Sequence, residues 1–174
     1  MKVLFVYSPT DPKLNKNYNL ITTTLENAGN KVITSKLNIG LAMDEASKSY
    51  HKLIASLKKI DILVVESSIP SNGIGFLVAT ALNEKKPVLA LSESKNKKAN
   101  EAFWYYAQKN KLLNFTAYTL KDLENIINEY VNKVKKLIDT KFILIISPEI
   151  DTYLQWASDN RRMHKAQVVR RAVE

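Results

Sequence analysis

The segment Asp61–Glu66 (DILVVE) constrains this chain more than any other. Four consecutive apolar residues between two acids are too few for a helix that buries a face. They also lack the alternation of a strand with one wet side. They fit a short strand covered on both faces, as in the middle of a parallel sheet. Parallel neighbours cannot be joined by a hairpin and need crossovers, usually helices. The first 138 residues supply both. KVLFVY (2–7), KVITSK (31–36), PVLAL (87–91) and Phe115–Tyr118 read as further strands. Helical spacing runs through Leu20, Ile21, Thr24 and Leu25 in 15–28, with Gly29 as its stop. It recurs through Tyr50, Leu53, Ile54 and Leu57 in 44–59, and again over 74–83, 96–110 and 120–138.

Strands alternating with helices predict a three-layer α/β domain around a parallel sheet, flavodoxin- or Rossmann-like, in the order 2-1-3-4-5. In such sheets a ligand sits outside the carboxyl ends of the strands, where the order reverses between strands 1 and 3. Ser8–Lys13 and Ser67–Gly75 are expected to meet there.

The pattern changes after residue 138. Lys141–Ser147 (KFILIIS) reads as a strand, Pro148 as a first-turn helix proline, 149–160 as a helix and 164–173 as a second one. The expected division is therefore 1–138 and 139–174. Thirty-odd residues of strand, helix, turn and helix hold too little core to stand alone, so this part is expected to pair with a second copy or with the first domain.

Charge separates the two parts as well. Residues 1–147 carry 21 lysines and 13 acids, a balance of +8, in scattered groups that read as solvated helix faces. All four arginines lie between 161 and 171. Arginine, with its planar fork, suits recognition of phosphate, so Arg161, Arg162 and Lys165 are the candidate nucleic-acid phosphate contacts. The chain has no cysteine and two histidines, which excludes disulfides and cysteine-ligated zinc. No metal site and no cofactor is expected. No apolar run has the roughly 18 residues of a membrane helix, so the expectation is a cytoplasmic protein with no membrane partner.

Ile69-Pro-Ser-Asn-Gly-Ile-Gly-Phe76 is the segment richest in chemistry. It holds two of the four glycines, between the buried strand and a helix. Backbone N–H groups at such a helix start attract anions. The alternative is a tight turn that binds nothing. Together, 61–66, 70–76, Ala79, Ala81 and Lys86-Pro87-Val88 resemble the nucleoside 2-deoxyribosyltransferase family, which includes hydrolases of 2′-deoxynucleoside 5′-monophosphates. The resemblance spans residues 1 to about 120 and is specific only over 61–91. It implies a sugar- and phosphate-holding loop, with Ser8, Ser71, Asn72, Gly73 and Gly75 as ligand-binding residues. The family's nucleophilic glutamate falls at Leu77. Its second carboxylate, eight residues before Asp61, falls at Leu53. Glycosyl transfer needs a nucleophile and an acid for the leaving base, and leucine is neither. No catalytic residue is assigned. Glu66 is the candidate if activity survives, with Glu45 or Asp11 nearby.

The C-terminal segment, 142–151 with Leu154, Ala157 and 163–174, resembles the ribbon-helix-helix family of dimeric DNA-binding proteins. That resemblance implies an antiparallel ribbon made by two copies, with alternate strand side chains facing out. Here these are Phe142, Leu144 and Ile146. Apolar residues make no hydrogen bonds to base edges, so they read as a dimer ribbon before a DNA reader. His51 reads as solvated and Phe103–Tyr106 as helix packing. Trp156 is expected to close a dimer or inter-domain contact.

The expected function is a catalytically degraded nucleotide- or anion-binding α/β domain fused to a ribbon-helix-helix oligomerisation module, a ligand-sensing regulator. Its partners would be itself, as a homodimer or higher oligomer, a nucleoside phosphate or phosphate, and in one version DNA. Two rivals stand beside it. One is an active deoxyribosyltransferase or nucleosidase using another carboxylate. The other is a ribbon-helix-helix DNA-binding transcriptional regulator.

Overall fold

Period-two side-chain alternation explains how one buried strand serves two hydrophobic layers. The computed structural model describes residues 1–37, 43–69, 71–93, 101–138, 145–161 and 163–173. Strands β1 (Lys2–Tyr7), β2 (Lys31–Lys36), β3 (Ile62–Glu66), β4 (Val88–Glu93) and β5 (Leu113–Tyr118) form one sheet in the order β2-β1-β3-β4-β5. All neighbouring pairs are parallel. Helices α1 (Asn15–Asn27), α2 (Met43–Leu57), α3 (Asn72–Asn83), α4 (Glu101–Lys109) and α5 (Leu123–Ile138) provide the connections and the C-terminal cover. This is the expected fold and strand order of a flavodoxin-like α/β domain.

Ile62 and Val64 point into a layer with Val3, Phe5 and Tyr7, beneath α1 (Tyr18, Ile21, Leu25) and α5 (Leu123, Ile127, Val131). Leu63 and Val65 point the other way, into a layer with Leu4 and Val6, beneath α2 (Leu53, Leu57) and α3 (Ile74, Leu77, Val78). Every residue of β3 is buried, as a central parallel strand requires. Edge strand β2 is mostly exposed and has lysine at both ends, which discourages pairing with foreign strands. Gly29, at φ +77, ends α1 as expected, and its N–H donates to the Glu26 carbonyl at 2.8 Å. Helix starts shift by a few residues. α3 begins at Asn72 and takes in both glycines of the loop, while α5 begins at Leu123, leaving Leu120 half exposed before it.

The chain divides into two compact units, Met1–Ile138 and Asp139–Glu174. In the second, α6 (Pro148–Arg161) and α7 (Lys165–Val173) are both present, α6 opening on its proline. The Met163 N–H donates to the Ser158 carbonyl at 3.1 Å, and the His164 N–H to Gln167 Oε1 at 3.0 Å, shaping the turn between them. Of the strand expected over 141–147, only 145–147 lie among the described residues. Residues 145–147 belong to no strand, and Lys141, Phe142 and Leu144 lie outside the described residues. A ribbon strand takes its hydrogen bonds from a second copy, which a single chain does not supply. Ile145 is 94% exposed and Ile146 is half-buried. Among the described residues no helix is long and apolar enough to cross a membrane.

Candidate functional site

Register brings the carboxyl ends of β1 and β3 together. Tyr7 pairs with Glu66, so Ser8 and Ser67 leave the sheet side by side at the point where strand order reverses. Ser8 is buried. Its carbonyl accepts from the Tyr18 hydroxyl at 2.8 Å, and Tyr18 stacks on Tyr7 with ring centroids 4.0 Å apart. The Ser8 hydroxyl has no hydrogen-bond partner among the described residues. Burying such a group costs free energy, so its placement at a strand's carboxyl end is informative. Ser67 is used structurally, its hydroxyl donating to the Leu91 carbonyl at 2.9 Å.

Glu66 is the centre of a buried network. Its Oε1 accepts from the Ser68 hydroxyl, from the Ser68 N–H at 3.2 Å and from the Tyr118 hydroxyl at 3.1 Å. Ser68 Oγ in turn accepts from the Glu93 N–H at 2.6 Å, and Tyr118 Oη from Asn17 Nδ2 at 2.9 Å. The network ties β3, β4, β5 and α1 together where each reaches the carboxyl edge. Burial pushes the Glu66 carboxyl up to about 7, although the bonds from Ser68 and Tyr118 pull it down. Burial, and then the charge of Glu66, hold the Tyr18 and Tyr118 phenols well above their ordinary range.

Glu66 is 1% exposed and three donors converge on its Oε1, which thereby ties neighbouring elements together. A nucleophilic role would fall to its other oxygen, Oε2. Asp11 accepts from the Lys13 N–H at 2.9 Å as it caps the short 3₁₀ turn Pro12–Leu14. The Glu45 side chain lies outside the described residues. Leu53 and Leu77, 4% and 0% exposed, belong to the apolar layer between sheet and helices.

The loop leading into α3 gives its two glycines different surroundings. Ser71 occupies the position before the helix with extended backbone (φ −146, ψ 123) and forms no side-chain cap. Pro70 lies outside the described residues. A Cβ on Gly73 would fall 1.6 Å from the Tyr50 hydroxyl and 3.3 Å from Leu37 Cδ2. Gly73 thus makes room for a tyrosine of α2. Tyr50 also meets Phe76 edge-on, with centroids 6.2 Å apart. Gly75 faces open space.

In the second unit, Arg161 is exposed in the last turn of α6 and Arg162 lies outside the described residues. Lys165 is drawn into an ion pair with Asp151 at 2.7 Å. Trp156 is 61% exposed. Of the α4 aromatics, Phe103 stacks on Phe115, but Tyr105 and Tyr106 are more than half exposed, against the packing expected of them. His51 is exposed, as expected. Asn17, Tyr18, Tyr50, Ser68 and Tyr118 escape a motif search. A strand-by-strand list of polar residues at carboxyl ends would have found Ser68 and Tyr118.

No family model and no curated protein matches the chain. Among solved structures it is similar to the solution structure of BlsM, with a TM-score of 0.61 and 15% identity over 82% of this chain and 97% of that one. A short-chain flavodoxin associated with a bacterial microcompartment gives 0.47 and 17% over 79% and 98%. A 3-dehydroquinate dehydratase-like protein from Bifidobacterium longum gives 0.38 and 14% over 54% and 72%. At such identities the BlsM likeness speaks to fold alone. It agrees with what the strand order establishes independently, a five-stranded parallel α/β domain of flavodoxin-like topology.

Proposed function

We propose that residues 1–138 form a nucleotide- or anion-binding domain that does not perform glycosyl transfer. Residues 139–174 join copies of the chain, so that the whole works as a ligand-sensing regulator. The observation that carries this reading is the burial of Leu53 and Leu77 in the apolar layer, together with the enclosure of Glu66. By the resemblance the reaction lacks both its carboxylates, and Oε1 of the one acid left at the strand end is taken up by structural bonds. Two features support retained binding. The Ser8 hydroxyl is buried without a partner among the described residues. The first N–H groups of α3 have no side-chain cap from Ser71, and uncapped helix starts favour anions.

Calorimetry with deoxynucleoside 5′-monophosphates and with inorganic phosphate tests it. The variant to pair with it is Asn72→Pro. Asn72 is the first residue of α3, where proline is tolerated, and the extended backbone of Ser71 suits the residue before a proline. The change removes one anion-facing N–H and leaves the helix. Weak binding by the parent chain, reduced in Asn72→Pro at unchanged melting temperature, is expected. Saturating ligand that leaves both heat and melting temperature unmoved would make the domain a scaffold.

A DNA-binding reading draws on the exposed Arg161, Arg170 and Arg171. Such binding would be electrostatic, with a log–log salt slope of roughly −0.9 for each phosphate neutralised. A tight complex with one operator at physiological salt would favour the transcriptional regulator.

A further inference from the structure

Helix α6 carries more apolar surface than its own unit covers. At 100° per residue, Trp156, Tyr153, Ala157, Ile150 and Leu154 fall within one continuous arc. Leu154 and Ala157 are buried. Trp156 and Tyr153, at one end of the arc, are both 61% exposed, and Ile150, one turn before Leu154 and Ala157 on the same stripe, is 49% exposed. The two large rings lie 5.8 Å apart at 33°, so they form one aromatic plate rather than two scattered side chains. Aromatic residues grouped on an otherwise polar surface are the composition of interface cores.

We propose that the Ile150–Tyr153–Trp156 face of α6 is a self-association surface whose occupant is the same face of a second copy of this chain, with the two helices antiparallel. It rests on the reading of 139–174 as the unit that joins copies, and places a contact outside the apolar run 141–146. Charge selects the partner. Residues 1–138 hold 20 lysines against 12 acids, whereas 139–174 hold six basic residues against five acids. Two copies of the second unit therefore meet without the repulsion that separates two lysine-rich domains. Charge also sets the direction. The first turn of α6 carries Glu149 and Asp151 and the last carries Arg161. A two-fold axis at Gln155 places Glu149 of each copy opposite Arg161 of the other and lays the aromatic plates together at the centre. A parallel arrangement would set like charges side by side. A two-fold contact of this kind is closed and self-complementary.

Sedimentation velocity on the full chain tests this with three variants: the double substitution Tyr153→Ser with Trp156→Ser, the ribbon substitution Leu144→Lys, and the charge pair Glu149→Arg with Arg161→Glu. The parent chain is expected to dimerise at micromolar concentration. The aromatic double variant should raise the dissociation constant at least tenfold. Glu149→Arg and Arg161→Glu should each weaken association several-fold when made alone and restore it when combined. That rescue separates a contact between copies from a loss of folding. An aromatic variant that dimerises like the parent while Leu144→Lys is monomeric would overturn the α6 surface and leave assembly through the ribbon standing. A monomeric parent chain would overturn both. Charge substitutions that fail to rescue one another would overturn the antiparallel pairing.

Discussion

The two units bury their apolar residues in opposite ways. In the first, every strand side chain of β3 and nearly all of β1 and β4 lie beneath helices on one face or the other. In the second, α6 and α7 bury Leu154 and Ala157 and leave Ile145, Ile150, Tyr153, Trp156 and Val173 in solvent. Chain length explains the contrast. A sheet of five strands can place helices on both faces, whereas 36 residues with two helices enclose little volume. The first unit therefore owes its stability to contacts within one chain. The second leaves apolar surface in solvent.

The largest effect expected of a single substitution lies in the first unit. Leu77→Glu would return the carboxylate that the family resemblance implies, into a position with no solvent and no donor. It should cost about 4–5 kcal/mol, read as a fall in the urea midpoint of the α/β unit. The same substitution at Leu154 should leave that transition within about 0.5 kcal/mol, because additivity holds for distant sites. A tolerated Leu77→Glu would mean that the position borders an open crevice after all.

Next in size is a pH effect confined to the first unit. The Glu66 carboxyl is raised by burial to about 7, above its unfolded value, so the folded state holds the proton more tightly. Its stabilising contribution is complete below the unfolded value near 4.5 and disappears as pH rises through about 7. At 1.36 kcal/mol per unit, the difference between acid and alkaline limits is about 3 kcal/mol. Denaturation series between pH 5 and 8.5 should show this loss, and Glu66→Gln should flatten it. A flat profile in the parent chain would contradict the burial of the acid.

Tyr118→Phe sharpens the same point with a smaller effect. It removes one donor to Glu66 and leaves Asn17 Nδ2 without its acceptor, for about 1–2 kcal/mol. Because the Tyr118 bond lowers the Glu66 value, its removal should also move the pH transition upward. The smallest effect belongs to the second unit. Lys165→Ala breaks a half-exposed ion pair with Asp151, and thermal melts should register roughly 0–1 kcal/mol.

The sequence exposed the sheet because a parallel strand writes its environment into consecutive residues. Ile62, Leu63, Val64 and Val65 are all apolar because both faces are covered, and their alternation between two layers follows from the pleat. Gly29 marked the end of α1 because its φ favours glycine. The site was less legible. Gly73 invited a ligand reading, yet its missing Cβ leaves space for Tyr50, a contact between α2 and α3 over 23 residues of chain that no local pattern encodes. For Glu66, sequence shows its place at a strand end but not the bonds that Ser68 and Tyr118 donate to its Oε1. The segment 145–147 read as a strand from composition, whereas ladder formation depends on a partner that lies outside a single chain.

The central claim is that an α/β domain with Leu53 and Leu77 in its apolar layer and Glu66 enclosed does not cleave or transfer glycosidic bonds. Incubation of the full chain with each deoxynucleoside and each deoxynucleoside 5′-monophosphate, followed by chromatography for free base, tests it directly. The expected result is base release no faster than in the absence of protein. Sustained release that disappears in Glu66→Gln would contradict the claim and make Glu66 the catalytic carboxylate.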